Sequence, residues 1–217
     1  MTQDFPPIGR RDFLLTLAIP AVAVAVPWHQ AAAATATDNG AAAIAPIERL
    51  NAALLSGMKA GQNTPFEQRY AALAPVVDQT FDLDAVLAGS IGLRWPELPN
   101  DQKAQLMGAF RRYSVASYTA SFDHFSGQSF QVSPAVRQVG NGEVIVQSKL
   151  VSGDGSVTPF NYVMRNGPSG WKAVDVLVDG SISRVAVQRS DFRSLLERGG
   201  VPQLVTALQS KVANLAV

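Results

Sequence analysis

The repeat of apolar residues along this chain switches after Gly127, and that change limits what the chain can fold into. Before it, apolar side chains recur at helical spacing; after it, they alternate as on strands. Candidate strands run over residues 129–137, 143–151, 157–166, 170–178 and 181–188. The breaks between them carry turn chemistry: Gly140-Asn141-Gly142, Ser152-Gly153-Asp154-Gly155, Asn166-Gly167-Pro168 and Asp179-Gly180. Turns this short join neighbours, so the strands pair as an antiparallel meander. Helices, then four to five antiparallel strands, then helices again predict an α+β fold, a curved sheet covered by helices.

In the helical half, Ile47, Leu50, Leu54, Leu55 and Met58 follow helical spacing from Pro46, and Gly57 and Gly61 mark the end. Residues 37–43 read as a loose lead-in. A second helix opens on Thr64-Pro65-Phe66-Glu67, with Thr64 as cap and Glu67 completing a capping box. Tyr70, Leu73, Val76, Val77 and Phe81 form its buried side, and Pro75 is expected to bend it. Asp82 caps a short helix ending near Gly89 or Gly92. After a proline-bounded connector, Asn100 caps the longest helix, about residues 101–125. Two stripes run along that helix, Leu106, Phe110, Tyr113, Ser117 and Ala120 beside Met107, Ser114, Tyr118, Ser121 and Phe125. Helices over 190–198 and 201–215 close the chain.

The first 36 residues read as an export signal. Gly9-Arg10-Arg11-Asp12-Phe13-Leu14-Leu15 has the twin-arginine pattern, followed by an apolar run to Val26 and small residues from Ala31 to Ala36. The competing reading is a membrane anchor, but Pro20 interrupts the run and Pro27 ends it short of the ~20 residues a span needs. Cleavage after Ala34 or Ala36 leaves a chain starting at residue 35 or 37 and running to 217, enough for one domain, taken as 37–217, with one substantial core.

Charge and rare residues exclude several functions. The formal charge is +1, and it stays so without the signal because Arg10 and Arg11 leave with Asp4 and Asp12. A near-neutral, mixed surface argues against nucleic acid as a partner. There is no cysteine, and beyond the signal the one histidine is His124, at the polar end of a helix. The common zinc sites and Cys-His nucleophilic pairs are therefore excluded, and no metal or other cofactor is expected.

Several segments in order carry a family likeness: RYAALAPVVDQTFDLDAVL (69–87), Trp95, AFRRYSVASYTASFDHFSGQSF (109–130), FNYVMRNGPSGWKAVDV (160–176), and the run from Gly170 to Arg198. Together they resemble the periplasmic lipid-carrier family of toluene-tolerance (Mla-type) phospholipid transport, and its hopanoid-associated branch most closely. The resemblance implies a cystatin- or NTF2-like cone with an internal apolar cavity that holds acyl chains between sheet and helices. It also implies a periplasmic, non-enzymatic lipid shuttle. Its partners would be an inner-membrane lipid transporter and, in the general case, an outer-membrane lipoprotein complex; for the hopanoid branch, an inner-membrane exporter of another class is implied.

On the third strand Phe160, Tyr162 and Met164 share a face; on the fourth, Val174, Val176 and Val178 share one and Trp171, Ala173, Asp175 and Leu177 the other. By pattern alone these side chains fill an ordinary core. With the resemblance, Phe81, Leu87, Phe110, Tyr113, Tyr118, Phe122, Val146, Phe160, Tyr162, Met164, Val174 and Val176 become the candidate lipid-lining residues. Asp175 stands out as a carboxylate in an apolar strand. It is either a general base with Tyr162 as oxyanion donor, the enzymatic alternative, or a structural partner of Arg165, Lys172 or Arg184, or a residue at the rim. Scattered cations in the sheet half (Arg137, Lys149, Arg165, Lys172, Arg184 and Arg189) do not discriminate a headgroup site.

The signal is testable. Changing Arg10 and Arg11 to lysine should hold the precursor in the cytoplasm, and the exported protein should begin between residues 35 and 37, read by N-terminal sequencing. Normal export of the Lys-Lys variant contradicts the twin-arginine reading.

Overall fold

A computed structural model gives the fold and describes residues 38–216; the expected signal, residues 1–36, lies outside them. Four helices come first: α1 (Asp38–Ala60), α2 (Phe66–Thr80), α3 (Leu83–Ile91) and α4 (Asn100–Ser121), with a single 3₁₀ turn after α3. Then follow β1 (Ser129–Gln138), β2 (Glu143–Val151), β3 (Val157–Gly167), β4 (Gly170–Val178), the two-residue β5 (Ile182–Ser183) and α5 (Arg184–Leu215). The strands form one sheet in the order β1-β2-β3-β4-β5, every neighbour antiparallel. The expected α+β meander is what forms, because each turn has residues able to reverse the chain. At Asp179-Gly180 both φ angles are positive, +51° and +78°, as a two-residue hairpin requires.

Helix starts depart from expectation. α1 begins at Asp38, not Pro46, since the alanine-rich stretch is a good helix former and buries Ala43 and Ile44. Thr64 does not cap α2; its hydroxyl donates to the Ala60 carbonyl instead, leaving Pro65 at the cap position. α2 runs through Pro75 as one helix. Asn100 is the first residue of α4, with Pro99 at its cap, and the helix stops at Ser121. Asp82 caps α3 as expected, its carboxylate accepting from the Ala85 amide at 3.0 Å.

The largest correction follows β4. Residues 181–188 were expected as a strand, yet α5 starts at Arg184. Ser183 caps it, accepting from the Ala186 amide at 2.9 Å, and the Asp175 carboxylate accepts from the Val185 amide at 3.1 Å. Two acceptors on the first free amides favour helix over an alternating pattern. α5 then breaks at Gly199-Gly200, where Gly200 has φ +65°, so the two expected closing helices are two segments of one run.

The core is divided. One apolar cluster lies between the inner face of the sheet and α1, α2 and the C-terminal half of α4: Ile47, Leu50, Leu54, Val77, Val115, Val146, Tyr162 and Met164 are all buried in it. The other lies among α3, α5 and the N-terminal half of α4, with Leu87, Leu106, Phe110, Phe192 and Leu204 at its centre. α4 serves both because its 22 residues span about 33 Å at ~1.5 Å per residue. Its buried positions include Val115, Ala116 and Thr119, which neither expected stripe contained.

Candidate functional site

The inner face of the sheet is set by registry. Val146 pairs with Val136 on β1 and with Tyr162 on β3, Val144 with Met164, and Tyr162 with Val176 on β4, so one side of four strands is largely apolar, with Ser148 on β2 a polar exception. Between Val163 and Met164 the pairing with β4 slips by one residue: Val163 faces Asp175, whereas Met164 faces Ala173. Val174 is the extra residue of this bulge. The slip puts Trp171, Ala173, Val176 and Val178 on the helix-facing side together. The expected alternation, with Val174 beside Val176, is corrected accordingly, and Val174 lies in neither apolar cluster.

Over this face runs a string of rings. Tyr162 and Phe81 have centroids 6.3 Å apart, Phe81 and Tyr118 5.5 Å, and Tyr118 stacks on Phe122 at 6.2 Å and 15°. Phe122 also meets Phe130 at 5.9 Å and Phe160 at 6.2 Å. The string thus joins the α2–α3 connector, the end of α4, β1 and β3. Burial pushes the phenols of Tyr118 and Tyr162 well up from their ordinary value, and the neighbouring Tyr118 raises that of Tyr162 further.

Eight of the twelve lipid-lining candidates meet in this cluster: Phe81, Tyr118, Phe122, Val146, Phe160, Tyr162, Met164 and Val176. Leu87, Phe110 and Tyr113 do not; they pack in the helical cluster, where Phe110 makes an edge contact with Phe192 and Lys211 lies over the Tyr113 ring. The cause is the length of α4, whose first half has α3 and α5 beneath it in place of the sheet. Residues the pattern missed include Val136, Val144 and Asn51. The two valines were readable as the strand partners of Val146 and Met164; Asn51 had no apolar signal to show it.

Two hollows adjoin the sheet. One, about 270 Å³, lies at one end of the inner face and takes Val136, Val144 and Trp171 from the apolar cluster, with Gly40, Gln138, Gly142 and Asn166 around it. The other, about 540 Å³, is lined mainly by polar side chains of β1, β2 and β3, among them Gln131, Gln147, Lys149 and Asn161. These alternate with inner-face residues and so belong chiefly to the outer face.

Asp175 has a structural role. Its carboxylate accepts from the Val176 and Val185 amides and the Ser183 hydroxyl, tying β4 to the start of α5. Two of the three expected cationic partners are engaged elsewhere: Arg165 pairs with Glu143, and Lys172 donates to the Asp78 carbonyl. Tyr162 points into the apolar cluster while Asp175 pairs across from Val163 on the opposite side of the sheet. Base and oxyanion donor of the enzymatic alternative therefore stand on opposite faces. His124 is exposed beyond the end of α4.

The fold, an antiparallel sheet under helices, is similar to that of a solved phospholipid-binding protein from Ralstonia solanacearum in complex with a phospholipid. The two share a TM-score of 0.69 and 20% identity over 81% of this chain and 99% of that one. Residues 48–210 match the MlaC protein family, and the chain belongs to that family. No curated protein matches it significantly.

The buried phenols make stability depend on alkaline pH. In the unfolded chain each ionises near pH ~10, while the folded state resists ionisation. Stability present below that pH is then lost as pH rises, by up to ~1.4 kcal/mol per pH unit per phenol. Urea midpoints at about pH 9 and 11 should fall more steeply for the wild type than for Tyr162→Phe. Equal slopes contradict the burial of Tyr162.

Proposed function

We propose that this chain is a periplasmic lipid carrier that keeps the apolar part of a membrane lipid, phospholipid or hopanoid, between the sheet and α1, α2 and α4. The observation that carries the reading is the aromatic string on the inner face together with the hollow of about 270 Å³ that shares Val136, Val144 and Trp171 with the same cluster. An apolar layer with one end open suits a guest that is long and apolar, with a polar end left in water. Membership of the MlaC family and the similar fold of a phospholipid-bound protein support it.

The energetics favour a shuttle over chemistry. Each methylene kept from water contributes ~0.8 kcal/mol, so a palmitoyl chain in solvent costs on the order of 12 kcal/mol. A dry cavity cancels that cost without any reacting group. Among the described residues no helix is long and apolar enough to cross a membrane. The carrier receives and delivers cargo by docking to membrane-bound partners, an inner-membrane lipid transporter and an outer-membrane lipoprotein complex. Residues 1–36 act as the twin-arginine signal that brings it there.

Native mass spectrometry of the purified protein should show co-purifying lipid. Phe122→Ala and Phe160→Ala should lower the loaded fraction about tenfold, the equivalent of ~1.4 kcal/mol of lost apolar contact. Phe110→Leu, in the helical cluster, should lower stability by ~1 kcal/mol and leave the loaded fraction of folded protein unchanged. Protein without lipid, or lipid lost on Phe110→Leu and kept on Phe122→Ala, contradicts the proposal.

A further inference from the structure

Within the apolar layer one polar pair is out of place. Asn51, on the sheet-facing side of α1 with Ile47, Leu50 and Leu54, is 4% exposed, and Ser148, on the inner face of β2, is also 4% exposed. The Asn51 amide nitrogen donates to the Ser148 hydroxyl at 3.0 Å. The Asn51 Oδ1 is fully buried and has no partner among the described residues. On the sheet Ser148 is flanked by Val132 and Phe160, both packed against the apolar cluster. A single hydroxyl can satisfy only one end of a carboxamide, and with Nδ2 on the Ser148 hydroxyl the open end is the Oδ1 acceptor. Buried acceptors in native proteins are nearly always paired, and one left open in a layer built to receive a guest is suited to the guest's own donor.

We infer that Asn51 and Ser148 form a polar subsite inside the carrier for a hydroxyl group on the apolar body of its lipid, so that hydroxylated lipids are preferred over otherwise identical ones. The inference rests on the carrier reading and names the cargo class for it. Ser148 holds the amide nitrogen, and Oδ1 accepts from the lipid hydroxyl. The ester carbonyls of an ordinary diacyl phospholipid are acceptors alone and cannot supply that proton. A site that hydrogen-bonds a substrate hydroxyl discriminates against the analogue lacking it far better than an apolar wall discriminates by size.

The test loads the folded protein from vesicles of dipalmitoyl phosphatidylethanolamine, or of its α-hydroxy- or β-hydroxypalmitoyl counterparts, and measures bound lipid by competition. The wild type should prefer at least one hydroxylated probe by about tenfold, the worth of one buried hydrogen bond. Asn51→Leu should bring that ratio to within about twofold while still carrying the plain lipid. Should the leucine variant not fold, Asn51→Ala carries the same expectation, and the wild-type ratio stands without either. Equal retention of all probes by the wild type overturns the subsite, Oδ1 then being met by an ordered water, and leaves the carrier reading intact. A preference that survives in Asn51→Leu overturns the assignment to Asn51. Retention of no probe overturns both readings.

Discussion

The slip of one residue in β4 governs the rest of the molecule. With Val174 as the extra residue, Ala173 and Val176 come to share the inner face and Asp175 turns to the other. An unbroken alternation carrying Val176 and Val178 inward would have taken Trp171 and Ala173 out of the apolar layer. The same turn delivers the Asp175 carboxylate to the Val185 amide and the Ser183 hydroxyl. The bulge thus keeps a charge out of the apolar layer and uses it to start α5. At the same end of β4, Phe81 bridges to Ala173 and the Asp82 amide donates to the Ala173 carbonyl at 3.0 Å, which covers the strand edge and sets Phe81 on the aromatic string.

From that constraint follows a division of labour between two apolar clusters. The helical one, among α3, α4 and α5, contains large aliphatic residues and an edge-on pair of phenylalanines, and the buried Ser90 hydroxyl on α3 is paired with Gln188 of α5. It is a core in the ordinary sense, tying the C-terminal helix to the rest. The sheet-side cluster is of another kind: rings in series, the buried Tyr162 and half-buried Tyr118 among them, a buried amide with an open acceptor, and a hollow at one end. Ring-to-ring contacts can be exchanged for contacts with an acyl chain or a polycyclic body at little net change in buried apolar area. The proposed carrier role assigns the guest to this layer and leaves the helical cluster as core.

Much of this was legible in the sequence, and what was not has physical causes. The bounds of β2 and β4 match expectation, 143–151 and 170–178, because glycines stand at or beside their ends and leave the pattern no freedom. The Asp82 cap and the Gly199-Gly200 break were visible for the same reason, since each residue type has a local role that tertiary structure did not override. The bulge was invisible, because a period of two assumes no inserted residue, so Val174 was aligned with Val176 where Ala173 stands. The start of α5 was hidden because its decisive acceptor, Asp175, arrives from another element. Phe110 and Tyr113 were assigned to the sheet because helical spacing tells which residues share a side and not what that side meets. Asn51 was missed since a polar residue in an apolar stripe reads as an interruption until its burial is known.

The central claim is that the guest lies against the sheet-side cluster and not the helical one. Loading the protein with a phospholipid whose acyl chain carries a photoreactive diazirine, irradiating, and mapping the labelled peptides tests it directly. The account predicts label on peptides containing Tyr118, Phe122, Phe160 or Trp171. Label concentrated on peptides of α3 and α5, around Leu87, Phe192 and Leu204, would contradict it.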